Sequence, residues 1–407
     1  MAANNHDELI NGEELDAPKR KWGPLKIALV SMSGLLAIVL VVMATYAGTM
    51  VHTVATEMKH EDLLPTGPAP TGQGTNDDGQ KKNDLLPNES GPDQGANSQN
   101  PNGQNSQSST STDPADQEYS GQSPIPTSEP GNQPDMTVTP SNGKAQNILL
   151  IGADAATGGV SRSDVIILAH ISADRKRVDL IHFPRDYYVK VPGHGYTKIN
   201  HSYAYGGSPL LVHTIQGATG VKIDHVAKTD FEGYSRTIDT IGGIDVTINE
   251  SSPAKNGYPA YTKGQVVHMG GQEALFYVRE RKALSQGDIG RGQRQMDVLV
   301  AIAAKVASPE KITNPVEMNR SLGAVASNLT TDRGLGVEQI ASLAYSLRNV
   351  RSTGGIHSWT APWSGASMKS GMSVVDPSWP QVEILSEALK QDKMSGYSDP
   401  VSPTRNY

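Results

Sequence analysis

Along the C-terminal part of the chain, short apolar runs alternate with segments of helical periodicity. "NILLIG", "DVIILAHI" and "VDLIHF", all between Asn147 and Phe183, are β-branched and apolar with turn or charged residues between them. Continuous runs of that length predict strands buried on both faces. Spacing of three to four between apolar positions predicts helices near 209–216, 231–241, 271–278, 292–306, 316–328 and 337–347. One more apolar strand, "IDVTI", follows the glycine turn at Ile241–Gly243. Interleaved strands and helices predict an α/β domain, a layered α-β-α arrangement around a central mixed sheet, over 144–395.

The pattern differs upstream. Residues 1–26 are polar, ending in the basic group Lys19, Arg20, Lys21 and Lys26. Residues 27–48, "IALVSMSGLLAIVLVVMATYAG", hold no charge, and at ~1.5 Å per residue such a helix matches a bilayer core of ~30 Å. The expectation is a single transmembrane helix with the N-terminus cytoplasmic and the remainder outside, because the basic cluster precedes the span. A cleaved signal peptide is the competing reading, but both leader and apolar run are long for one. Residues 49–143 are dominated by Gly, Pro, Asn, Gln, Ser and Asp, a composition expected to form a disordered linker. Its ~85-residue core has a reach of roughly 50 Å. The last segment, 396–407, is expected to be a flexible tail.

The chain has no cysteine, which excludes thiol catalysis, thiolate metal sites and disulfides, and a formal net charge of -7, which argues against coating nucleic acid. A local basic island stands out against that balance. "YVRERKALSQGDIGRGQRQ" carries Arg279, Arg281, Arg291 and Arg294 within Tyr277–Gln295. If the chain is extended past Arg279, residues 279 and 281 share a side. Arg291, Arg294 and Gln295 are spaced i, i+3, i+4 near an expected helix N-terminus, where anions are favoured. Lys282 and Glu280 are expected to face away.

Singly, each arginine is an ordinary surface charge. Together the balance changes, since two like charges ~6 Å apart repel by roughly 3 kcal/mol at an effective dielectric near 20. Convergence would therefore call for an anion, and guanidinium forks match phosphate. Loops expected at strand ends add Asp154, Arg162, Asp164, Arg185, Lys198 and Asn200. Carboxylates such as Asp154 and Asp164 can hold a hard cation that bridges phosphate. His182, His201 and His213 are too scattered for a metal triad and read as packing or surface residues. Neither a P-loop nor a GxSxG elbow occurs.

With "NILLIGAD", "RSDVIIL", "FPRDYYV", "KINHSYAYGG", "DFEGYSRTIDTIGGIDV", "ALFYVRER" and "DIGRGQRQ" in this order, the domain resembles the LytR-CpsA-Psr family of cell-wall assembly proteins. The resemblance implies a phosphotransferase that moves an anionic glycopolymer (teichoic acid, capsule or another wall polysaccharide) from a polyprenyl-pyrophosphate carrier to peptidoglycan. It further implies Mg2+ (or Mn2+) on Asp154 and Asp164. Arg162, Arg185, Arg279, Arg281, Arg291 and Arg294 would surround the pyrophosphate, with Gln295, Lys198 and Asn200 nearby. Asp164 and the arginines Arg185, Arg279, Arg281 and Arg291 would carry the reaction itself. The lipid tail would need an apolar tunnel, for which Val298, Leu299 and Ile302 offer lining. The chain departs from the pattern at Ala156, where many members have arginine, and at His182–Phe183, which replace a usual serine. Two other classes stand beside this reading. One is a non-catalytic lipid-pyrophosphate or polymer-binding module; the other is a membrane-bound transcriptional regulator, disfavoured because the basic island is expected outside the cell.

Overall fold

A computed structural model describes residues 52, 58–70, 133–153, 162–306, 308, 311, 314–347, 349–350, 353–401 and 405–407. The expected leader and transmembrane helix, 1–48, lie outside the described residues, as does Asp154. Among the described residues no helix is long and apolar enough to cross a membrane.

The centre is an eight-stranded sheet. In chain order its strands are β1 (Lys59–Glu61), β2 (Gln146–Ala153), β3 (Ser163–Ile171), β4 (Val178–His182), β7 (His225–Thr229), β10 (Thr330–Asp332), β11 (Ile356–Thr360) and β14 (Arg405–Asn406). Across the sheet the order is β1-β10-β7-β2-β3-β4-β11-β14. The pairs β1/β10, β7/β2 and β4/β11 are parallel, while β10/β7, β2/β3, β3/β4 and β11/β14 are antiparallel, so the sheet is mixed as expected. Three two-stranded ribbons complete the β structure: β5 (Tyr188–Val191) with β6 (Gly195–Lys198), β8 (Ile244–Thr247) with β9 (Val266–Met269), and β12 (Trp363–Lys369) with β13 (Met372–Pro377).

Why β2 and β3 are apolar throughout is visible in where their side chains go. Leu149, Ile151, Ile166 and Leu168 join one core with helices α1 (Ile199–Thr219) and α7 (Trp379–Lys390). Their neighbours Ile148, Ile167, Ala169 and Ile171 join a second core with Met296 and Val300 of α4 (Gly287–Val306) and with α6 (Val337–Ser346). Alternate residues of one strand thus meet helices on opposite faces, and no polar alternation survives. A third core lies under the β8/β9 ribbon and joins α2 (Phe231–Thr240), α3 (Gly271–Arg279), α4 and α5 (Pro315–Ser327).

Two expectations about the flanks are corrected. Within the expected linker, 49–143, residues 59–61 add a strand to the sheet edge, and Met58 and Leu63 are buried. Thr139 further along bridges to Val221. Two or three apolar residues in a polar stretch are too few for periodicity, yet enough to anchor an edge. The expected flexible tail is also ordered at its end, where β14 pairs with β11. There Arg405 Nη1 meets the buried Asp297 at 3.0 Å and Tyr407 donates to the same carboxylate at 2.6 Å. A buried carboxylate needs such partners, and composition does not announce them.

Candidate functional site

The carboxyl ends of β2, β4, β7 and β11 and the start of β3 share one edge of the sheet, because β3 runs against its neighbours. Ligands of α/β sheets collect at such an edge. Asp164 is the second residue of β3, and Arg185 and Asp186 lie just after β4. Lys198 closes β6, Asn200 opens α1, and Asp288, Arg291 and Gln295 come from α4. That helix starts at Gly287, ahead of the expected 292, so an acid and not an arginine occupies its first turn.

Arg185 is the hub. Its Nη1 donates to Asp164 Oδ1 at 3.0 Å, and its Nε lies 3.5 Å from Asp288 Oδ1 and 3.7 Å from Asp186 Oδ2. Burial opposes its charge, but Asp186, Asp288 and Asp164 outweigh burial and raise its pKa above the ordinary arginine value. Lys198 Nζ pairs with Asp186 at 3.0 Å, and Arg291 Nη2 with Asp288 at 2.6 Å. Arg291 sits in the opposite balance. Burial lowers its pKa, Asp288 offsets this in part, and the charges of Arg185 and Arg281 push further in the lowering direction. Three cations thus face three carboxylates in the inner cluster, which leaves no surplus charge for an anion. The surplus comes from two exposed arginines, Arg279 in the wall of the neighbouring cavity and Arg281, whose charge reaches Arg291.

A cavity with about 620 Å³ of empty space, its solvent-open part included, is lined by Asp164, Phe231, Val278, Arg279, Arg291 and Gln295. The Arg279 guanidinium lies 4.3 Å from the Phe231 ring centroid, a cation–π arrangement. Around the cluster, Arg291 Nε, Gln295 Oε1, Asn200 Oδ1, Asp288 Oδ2 and Ser163 Oγ are buried without a hydrogen-bond partner. Buried polar atoms are nearly always paired. Of these, Arg291 and Gln295 line the cavity, where their unpaired atoms suit a polar ligand.

Not every expected residue joins the cavity. Arg294 is 2% exposed, donates to Ser252 Oγ at 2.8 Å and lies 4.2 Å from the Tyr277 ring centroid, which turns it toward the third core. Lys198 pairs with Asp186 and Asn200 N donates to the Arg185 carbonyl at 3.2 Å, but neither lines the cavity, nor do Arg185 and Arg281. Arg162 is half-buried one residue before β3. Lys282 is exposed, and Glu280 pairs with Lys255 at 2.9 Å, away from Asp164. The sequence reading missed Asp186 and Asp288 as partners. For Asp288 a signal existed, the i, i+3 spacing to Arg291 on one helix. Among the described residues no group of three His, Asp or Glu side chains is placed to hold a metal ion.

His182 ends β4 and is 1% exposed. Its ring occupies the space beside Gly292, which explains why that position of α4 carries no side chain. Burial first, and the Arg291 charge second, lower its pKa to about 3. The unfolded chain takes up a proton near pH 6.5 that the folded chain refuses, so stability is complete above that pH and falls toward pH 3. The loss is ~1.4 kcal/mol per pH unit, hence ~2 kcal/mol at about pH 5. Urea denaturation near pH 7 and pH 5 is expected to show that loss in the wild type and a smaller one in His182→Gln.

A second cleft opens beside the first. It has about 960 Å³ of empty space, solvent-open part included, and an apolar wall that includes Leu150, Val165, Ile167, Leu299, Ile302 and Leu329. Of the three expected tunnel residues, Leu299 and Ile302 line it, whereas Val298 belongs to the third core. Phe231, Val278 and Gln295 line both this cleft and the arginine cavity.

Residues 100–391 match the LytR_cpsA_psr family. The chain belongs to that family. Among similar LytR_cpsA_psr-type proteins is the polyisoprenyl-teichoic acid–peptidoglycan teichoic acid transferase TagU of Oceanobacillus iheyensis. It is 33% identical over 231 residues, 55% of this chain and 70% of the relative. TagT of Bacillus subtilis, named for the same transfer, is 34% identical over 220 residues, 51% of this chain and 67% of the relative. In structure, B. subtilis TagV aligns with a TM-score of 0.51 at 27% identity, covering 60% of this chain and 96% of that one.

Proposed function

We propose that this LytR_cpsA_psr member is a transferase that moves a teichoic acid or related anionic wall glycopolymer from a polyprenyl-pyrophosphate carrier to peptidoglycan. The observation that carries the reading is the junction of the two cavities: an apolar cleft and an arginine site share Phe231, Val278 and Gln295. An amphiphile with an anionic head and a hydrocarbon tail fits both at once. The names of the TagU and TagT relatives supply the same donor and acceptor.

In this reading Arg279 and Arg291 clamp the pyrophosphate and Arg281 adds charge at the rim. Arg185 keeps Asp164, Asp186 and Asp288 in place. An acceptor hydroxyl oxygen bonds to the phosphorus that carries the polymer, its proton passes to solvent water, and the bond to the lipid phosphate breaks with its electron pair going to the leaving phosphate oxygen. A phosphodiester and a polyprenyl phosphate result. Preorganised guanidiniums stabilise the charge that develops on the phosphoryl oxygens. Mg2+ or Mn2+, held by Asp164 together with Asp154, would add Lewis-acid neutralisation of the same oxygens. We place the chain in the cell membrane through residues 27–48 with the domain outside, on the charge pattern of the sequence alone.

Isothermal titration of the full-length chain in detergent tests the junction. Farnesyl pyrophosphate is expected to bind at least tenfold more tightly than inorganic pyrophosphate, since each buried methylene contributes ~0.8 kcal/mol. Equal affinities would mean that the apolar cleft does not receive the tail.

A further inference from the structure

A third cleft remains unused by this reading. It lies between α2 and α3, has about 1080 Å³ of empty space with its solvent-open part included, and shares Phe231 and Arg279 with the arginine cavity. Its character differs from both neighbours. Asp230, Glu232 and Asp239 face Arg236 and Arg279, three carboxylates against two guanidiniums. With Glu232 paired to Arg236, the wall offers no surplus positive charge to a polyphosphate chain, so the anionic polymer is a poor occupant. Hydrogen-bonding groups beside the apolar faces of Phe231 and Leu275 suit a neutral, hydroxyl-rich saccharide instead.

The cleft is also held rigidly. Asp230 caps α2 by accepting from Gly233 N at 2.6 Å, and Asp239 Oδ1 accepts from Gly271 N at 2.7 Å, tying the end of α2 to the start of α3. Gln272 Nε2 donates to Ser235 Oγ at 3.2 Å across the two helices. A Cβ at Gly271 would collide with the Ser235 carbonyl, so glycine there permits the close approach of the helices. A preformed polar cleft loses little entropy on binding.

We propose that this cleft is the acceptor subsite, taking the neutral glycan whose free hydroxyl is presented to the phosphoryl group at its Arg279 end. The proposal rests on the transferase reading for the identity of the donor, and names the saccharide by its chemistry. Gln272 is exposed and lines the cleft, so Gln272→Trp fills it and removes only the Gln272–Ser235 hydrogen bond, leaving the Asp230 and Asp239 contacts that fix the two helices.

Full-length wild type and Gln272→Trp, both checked for folding by thermal melting, would be titrated with a β-1,4-linked N-acetylglucosamine hexamer and separately with farnesyl pyrophosphate. The expected result is saccharide binding weakened at least tenfold in Gln272→Trp, ~1.4 kcal/mol, with farnesyl pyrophosphate affinity held within about twofold. Unchanged saccharide affinity, equal loss of both probes, or no saccharide binding by the wild type would each overturn the proposal. Saccharide binding that depends on Gln272 in a chain that does not bind farnesyl pyrophosphate would uphold the cleft and reject the donor reading.

Discussion

Arg185→Ala is expected to lower the unfolding free energy by roughly 2–3 kcal/mol, below the ~3–5 kcal/mol for breaking a fully buried pair because the Arg185 and Asp164 side chains are 20% and 29% exposed. The reason is the geometry around it. Asp164, Asp186 and Asp288 all lie within 3.7 Å of its guanidinium nitrogens. Without Arg185 the carboxylates keep only Lys198 and Arg291, and Asp164 loses its ion-pair partner. Urea titration of the variant checks the magnitude. Adding Asp164→Asn to Arg185→Ala is expected to recover part of the loss, because a neutral amide tolerates the gap better than a charge. A variant as stable as wild type would mean that water replaces the guanidinium freely, and that the cluster is not an organised unit.

Arg291→Ala is expected to lower turnover by ~10²–10³, the effect of removing one preorganised charge from a developing oxyanion, in addition to the stability lost with its 2.6 Å ion pair to Asp288. Arg291 is buried, its charge is disfavoured by burial and by Arg185 and Arg281, and its Nε has no partner. Asp288 pairs with its Nη2, so the Nε in the cavity wall is the donor left for a ligand. Steady-state transfer assays paired with urea titration separate the two effects, and a loss of stability that matched the loss of activity would make Arg291 structural.

These contrasts also explain what was legible in the sequence. The strands at 146–153, 163–171 and 178–182 were readable because burial on both faces leaves uninterrupted apolar runs. Helices with one buried face, such as Phe231–Thr240 and Val337–Ser346, were placed within a residue or two by their periodicity. Edge strands of two or three residues, Lys59–Glu61 and Arg405–Asn406, owe their existence to a partner strand and have no period to detect. The hairpin β12/β13 did carry a signal, the Ser370–Gly371 dipeptide between its two strands, and the structure gives both residues the positive φ, 48° and 78°, that such a turn needs.

In the site, the arginines stood out because they break an acidic background. Their division of labour did not, since Arg291 and Arg294 are three residues apart on one helix and yet face different surroundings. Asp186 and Asp288 gain their role only when three loops and a helix meet at one edge of the sheet.

The most direct test of the account is transfer itself. Full-length chain in detergent, supplied with a polyprenyl-pyrophosphate-linked wall polymer, peptidoglycan and Mg2+, is expected to place the polymer on peptidoglycan through a phosphodiester and to release one polyprenyl phosphate for each linkage formed, with Arg291→Ala losing both products together. Tight binding of the donor with neither product formed would contradict it and leave a binding module in place of a transferase.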